Sequence, residues 1–288
     1  RTLPKFIPGR PTIVARNMPG GIGLAAANYM TKIAPRDGTA LHIIFQNMPS
    51  LQAINAPGVE YDVRRFGWIG NTTNSPNVIT SWHATGIRTI QDAQQRELVV
   101  GAPGAASTSY VYPAAMNQLA GTKFKIITGY PGGNDVNLAM EKGEVGGRGS
   151  NSWASWKSGH PHWIAEKKIF QLVQIALERA PDLPDTPLML EMARNEEDRQ
   201  VLTFLSADMG ISRAFVTTPD VPADRLAALR RAFDQLMKDP EFIADAERSK
   251  MDLSPSSGEA AQKVAESMLS NTPRVIARAK AIMESGSK

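Results

Sequence analysis

The segment Leu98-Val99-Val100-Gly101-Ala102-Pro103-Gly104-Ala105-Ala106-Ser107-Thr108-Ser109 decides the fold class. Three apolar residues ending on a glycine read as a short buried strand. The small residues after them read as a loop, and Ser107 opens a helix that runs to about Ala120. Strand, small-residue loop and helix in that order begin a βαβ unit, because parallel strands need a crossover helix between them. The theme then repeats. Residues 124–128 read as a strand, residues 134–142 as a helix entered through Pro131-Gly132-Gly133 with Asn134 or Asp135 as its cap, and residues 170–175 as another strand.

Working outward, the first hundred residues follow the same alternation, which gives an α/β class. Thr12-Ile13-Val14-Ala15-Arg16 is the first strand expected, followed by a small-residue helix over 22–33. Residues 40–45 read as a strand buried on both faces, 66–70 and 77–82 as further strands, and 90–95 as a short helix capped by Thr89. Beyond the Pro-rich connection 180–187, helices are expected over 188–194 and 196–205, then a strand over 211–216 that crosses between two halves. The rest is helical: 222–238, with Leu226, Leu229, Phe233 and Leu236 on one face, then 240–248, 258–269 and 273–283. The expected organisation is two α/β lobes, residues 1–100 with 218–288 and residues 101–217, the crossing strand lying near 211–217.

Composition narrows the function. A chain of 288 residues, 42% hydrophobic and 21% charged, has material for two domains of about 150 residues. Its 32 Lys and Arg against 28 Asp and Glu leave a net charge of only +4, dispersed along the chain, which argues against a nucleic-acid partner. With no cysteine, disulfides, thiolate metal sites, iron–sulfur clusters and a thiol nucleophile are excluded. No run approaches the ~18 apolar residues of a membrane span. Arg1 to Gly9 lacks the apolar stretch of a secretory signal and reads as the last turn of a helix running into a Pro/Gly stop.

Four motifs carry chemistry, each with a plainer alternative. Gly21-Ile22-Gly23-Leu24-Ala25-Ala26 fits the G-x-G-x-x-A of a dinucleotide site, yet the acidic residue that would hold the ribose is replaced by Gln46-Asn47. A tight turn with close helix–strand packing is the other reading. In the loop after residue 101, Gly104 and Ala106 let backbone approach a ligand, and the hydroxyls of Ser107, Thr108 and Ser109 join the first helical amides as donors to a carboxylate or phosphate. Simple capping by Ser107 explains the same residues. No G-K-[ST] follows, so this is no Walker loop, and no G-x-S-x-G supplies a nucleophile. Arg148, in the glycine-rich strand Gly143-Glu144-Val145-Gly146-Gly147-Arg148-Gly149-Ser150-Asn151, either reaches a carboxylate bidentately or lies exposed. His160 and His162 flank a proline without the carboxylate spacing of a metal site, so they read as solvated loop residues and no metal is expected. Trp153, Trp156 and Trp163 read as cover for a core edge, with Trp153 near enough to Arg148 to wall a site there.

Taken together, the chain resembles the substrate-binding proteins of tripartite tricarboxylate transporters, the TctC or Bug-type receptors. The resemblance rests on N-M-P-G-G-I-G (17–23), A-P-R-D-G-T (34–39), G-A-P-G-A-A-S-T-S (101–109), Y-P-G-G (130–133), E-K-G-E-V (141–145), P-D-L-P-D-T-P (181–187), V-P-A-D-R-L-A-A-L (221–229) and D-P-E-F (239–242), in the family's order along nearly the whole chain. It implies a two-lobed periplasmic-binding-protein type II (Venus flytrap) fold that traps a small organic acid in a cleft. It also implies a periplasmic location, no cofactor, no catalysis, and delivery to the membrane subunits of such a transporter. The loop bearing Gly104, Ala106, Ser107, Thr108 and Ser109 matches the second lobe's carboxylate loop. Gln46 and Asn47 match a polar first-lobe loop, and Arg148 and Asn151 replace the usual acidic residue after E-V, where this chain has Gly146. The family's first strand and its Gly-rich loop have no counterpart, and a segment outside this sequence is the expected explanation. The competing expectations are an enzyme with a nucleotide cofactor at 21–26 and the effector domain of a transcription regulator.

Overall fold

The computed structural model describes residues 2–18, 20, 23–105 and 107–287. Along the chain come α1 (Leu24–Lys32), β1 (Leu41–Ile44), α2 (Met48–Ala53), β2 (Gly67–Asn71), β3 (Asn77–Trp82), α3 (Ile90–Gln95), β4 (Leu98–Gly101) and α4 (Thr108–Ala120). Next are β5 (Phe124–Ile127), α5 (Gly133–Glu141), β6 (Gly147–Ser152), α6 (Trp153–Gly159), α7 (Pro161–Ala165), β7 (Ile169–Ile175) and α8 (Glu196–Ala207). The chain ends with β8 (Ala214–Thr217), α9 (Ala223–Leu236), α10 (Pro240–Arg248), β9 (Ser256–Ser257), α11 (Gly258–Leu269) and α12 (Pro273–Glu284). Among the described residues no helix is long and apolar enough to cross a membrane.

Two compact units result, residues 1–74 with 210–271 and residues 75–209 with 272–288. These boundaries differ from the expected 100/101 and 217/218, for reasons visible in the strand pairing. β3 belongs to the sheet of β4, and β8 pairs with β1 and β2, so the strand expected to cross between halves lies wholly in unit 1.

Unit 1 has a sheet in the order β1-β8-β2-β9. Every residue of its central strand β2 is buried, and its glycines make room for helices. A Cβ on Gly70 would overlap the Phe233 ring of α9, and one on Gly258 would overlap the Trp68 carbonyl. Trp68, fully buried, donates its indole N–H to the Val63 carbonyl at 2.8 Å. Two expectations fail here. Thr12 to Arg16 forms no strand and stays exposed, with Val14 at 68%. Strand propensity reflects fit to a pleated, partnered surface, and no described strand pairs with this run. Residues 40–45 are not buried on both faces: β1 is an edge strand, and Ile43 and Phe45 are about half exposed.

Unit 2 has a sheet in the order β5-β4-β6-β3-β7. β5, β4 and β6 run parallel, while β3 is antiparallel to both its neighbours. One face carries a core of Val136, Met140, Trp153, Trp156 and Trp163, drawn from α5, α6 and α7. The three tryptophans are therefore interior residues. Each large ring buries on the order of 200 Å², worth about 5 kcal/mol before chain entropy is counted. α4, α8 and α12 pack together as well; Arg278 of α12 pairs with Asp198 of α8 at 2.6 Å.

The glycine-rich strand β6 is a packing requirement. Pro113 lies inside α4 and lacks the N–H that would bond the Ser109 carbonyl. That carbonyl faces Gly149 so closely that a Cβ there would overlap it, and a Cβ on Gly147 would overlap the Thr80 carbonyl. Because both obstacles are backbone, Gly149→Ala should destabilise the protein by on the order of 3 kcal/mol. Chemical denaturation checks this; a loss under about 0.5 kcal/mol, the range of ordinary surface changes, would refute the close approach.

Candidate functional site

The parallel registers Gly101↔Ile127 and Gly101↔Arg148 bring the C-terminal ends of β4 and β5 and the body of β6 to one edge of the unit 2 sheet. From β4 the chain crosses to β5 on one side through α4, and from β5 it crosses back past β4 to β6 through α5. Right-handed crossovers in opposite directions place the two helices on opposite faces. The loops part where the direction reverses, which is where open α/β sheets bind ligands. The Gly129 amide donates to the Pro103 carbonyl at 3.4 Å, tying the two loops together.

At the head of α4, Ser107 occupies the cap position with extended backbone, but its hydroxyl does not cap the helix. It donates to the Gly104 carbonyl at 2.6 Å. The Ser107 carbonyl accepts from the Tyr110 and Val111 amides at 2.9 and 3.0 Å. The backbone amides of Thr108 and Ser109, and the Thr108 hydroxyl, have no hydrogen-bond partner among the described residues. Ser109 differs from the reading of a free donor: it is buried, and its hydroxyl donates to the Ser150 carbonyl at 3.0 Å. Gly104 faces open space, and Ala106 lies outside the described residues.

Arg148 is not a surface residue. Its Nε donates to the Ser150 carbonyl and its Nη1 to the Asn137 Oδ1, each at 3.0 Å. Its guanidinium carbon lies 5.7 Å from the centroid of the Trp156 ring. Burial pushes its pKa down to about 10. Gly133 approaches so closely that a Cβ there would overlap Nη2. Gly132, not Asn134 or Asp135, holds the cap position of α5, and no side chain caps that helix. Asn151 is half-buried on β6 opposite Val78.

Two residues that the sequence did not single out belong to this group. Asn137 and Ser150 are each 3% exposed, and the Asn137 Nδ2 and the Ser150 Oγ have no partner among the described residues. The only advance signal for Asn137 is a lone amide among Val136, Ala139 and Met140 on the buried face of α5.

The remaining candidates separate by unit. Gln46 and Asn47 lie in unit 1, in the turn between β1 and α2, where the Asn47 Oδ1 is buried without a partner among the described residues. Gly21 and Ile22 lie outside the described residues. Gly23 has φ +91° and a Cβ there would come within 2.6 Å of Phe45, as the tight-turn reading requires. Trp153 packs in the core and donates its indole N–H outward to the exposed Asp182 at 2.8 Å, so it is anchored there. His160 is not a free loop residue: it is half-buried against Trp163, ring centroids 4.3 Å apart. Among the described residues no three His, Asp or Glu side chains gather as a metal site.

No protein-family model and no curated protein sequence matches the chain. Solved structures do. A TctC solute-binding protein from Polaromonas superposes with a TM-score of 0.66 at 18% identity, over 94% of this chain and 86% of that one. An adipate-bound protein of R. palustris gives 0.62 at 17%, over 90% and 83%. MatC from Rhodopseudomonas palustris, with bound malate, gives 0.61 at 16%, over 92% and 85%. The fold is the α/β fold of periplasmic solute-binding proteins of this type.

The hydroxyl of Ser109 acts inside the fold, so Ser109→Ala should cost about 1 kcal/mol, a net buried hydrogen bond, since Arg148 still satisfies the Ser150 carbonyl. Urea denaturation measures it, and no detectable change would show that the bond is not made.

Proposed function

We propose that this chain is a non-catalytic extracytoplasmic solute receptor that binds a small carboxylate-bearing molecule and presents it to the membrane subunits of a tripartite tricarboxylate transporter in the periplasm. The observation that carries this reading is the open head of α4. Two backbone amides and the Thr108 hydroxyl stand together without a partner among the described residues, at the C-terminal ends of the parallel strands β4 and β5. A helix N-terminus favours negative charge, and charge-assisted hydrogen bonds to a carboxylate are about twice as strong as neutral ones. The sequence motifs in family order and the shared fold support the same reading, as do the adipate and malate in two of the matching structures.

In this mechanism Thr108 and the amides of Thr108 and Ser109 hold one carboxylate, with Gly104 and Ser107 shaping the loop. Ser107 fixes the loop through Gly104 rather than reaching the ligand. Asn151, on β6 of the same unit, orients the rest of the solute. No bond is made or broken. The solute shifts the protein toward the state that holds it better, by its difference in affinity between states.

A thermal-shift screen with acetate, benzoate, succinate and citrate is expected to raise the melting temperature with at least one acid. Isothermal titration with that acid should show Thr108→Val weakening binding by about 2 kcal/mol, near thirtyfold, and Ser107→Ala by less. No stabilisation by any carboxylate would overturn the receptor reading, and unchanged affinity in Thr108→Val would remove the cradle.

A further inference from the structure

We infer that Arg148, Asn137, Ser150 and the first turn of α5 form a second anion-binding subsite inside unit 2, and that the solute carries a second oxyanion group to occupy it. The inference rests on the receptor reading above and adds the charge of the ligand to it.

The argument begins with charge. A guanidinium taken out of water loses several kcal/mol of solvation unless a counter-charge replaces it. Arg148 forms no ion pair among the described residues, and burial alone accounts for its lowered pKa, with no acidic neighbour raising it again. Asp135, the acidic residue of the adjacent turn, is exposed and makes no ion pair with Arg148. Beyond the Ser150 carbonyl, the backbone next to the guanidinium has the wrong sign. Nη2 lies against Gly133, the first residue of α5, and the amides of Gly133, Asn134 and Asp135 have no hydrogen-bond partner among the described residues. That helix end carries a partial positive charge of about half a unit. A part-buried cation against a positive helix end is an arrangement that an anion relieves.

The donor count points the same way. Guanidinium has five N–H groups, and the two bonds to Ser150 and Asn137 leave three. The Asn137 Nδ2 is a further donor and the Ser150 hydroxyl another, both buried and unpartnered. Native proteins pair nearly all such groups. An oxyanion offers only acceptors, which is what this cluster lacks. Position then links it to the α4 site: the Arg148 Nε and the Ser109 Oγ donate to the same Ser150 carbonyl. The guanidinium therefore stands beside the first turn of α4.

Isothermal titration of the intact chain with length-matched pairs, butyrate against succinate and pentanoate against glutarate, tests this. At least one dicarboxylate is expected to bind about thirtyfold tighter than its monocarboxylate partner, the worth of a charge-assisted contact. In Arg148→Gln that ratio should fall to near one, and Arg148→Lys, which keeps the charge but loses the fork, should retain part of it. Equal binding of both acids by the parent, or an undiminished ratio in Arg148→Gln, would overturn the second subsite and leave the receptor standing. If neither kind of acid binds, the receptor reading fails and the subsite fails with it.

Discussion

The Ser150 carbonyl is the point on which the proposed site depends. It accepts the Ser109 hydroxyl from α4 and the Arg148 Nε from its own strand, both at 3.0 Å. One backbone oxygen thus joins a helix head to the guanidinium. The pin holds only because α4 can come so close to β6, and that closeness has a plain origin. Pro113 leaves the Ser109 carbonyl without its helical donor, and Gly149 offers it a surface with no side chain. Pinned in this way, the first turn of α4 keeps its remaining donors pointed away from the helix and out of the protein's own hydrogen bonding.

The result is an excess of donors at one sheet edge. Two helix heads, each without a side-chain cap, adjoin a part-buried cation, and the Ser150 carbonyl beside it is already occupied. Left unmatched, each buried donor costs about 1–3 kcal/mol. A fold tolerates that where the missing acceptors arrive with a ligand, because the stored imbalance becomes binding energy. The same imbalance separates this edge from the protein's exposed ion pairs, such as Lys32–Glu60 or Arg248–Asp245, which are self-satisfied and of little consequence for stability.

Elements with strong local signals were legible from the sequence. Thr89, read as the cap of α3, does cap it, and Asp92 returns the bond, so α3 stands at its expected bounds. The helices expected over 240–248 and 258–269 also stand at those bounds, with Asp239 and Ser257 as their caps in the structure. Tertiary context decided the rest. Thr12 to Arg16 has strand composition but no described partner strand, and the outer face of β1 looks like core in sequence while lying at a sheet edge. Unit boundaries escaped because β3 and β8 pair with strands far away in sequence. At the site, Thr108 and Arg148 stood out by residue type and setting. Asn137 and Ser150 did not, because one polar residue on an apolar face carries no sign of its neighbours. Ser109 showed the converse, a hydroxyl in a ligand-like motif that the fold uses for itself.

The most direct test is a backbone amide NMR titration of the isotope-labelled protein with succinate. The account predicts saturable downfield shifts concentrated at Thr108, Ser109 and Gly133 through Asp135, the amides left unbonded at the heads of α4 and α5. Saturable binding whose shifts leave all of these amides unmoved would contradict it.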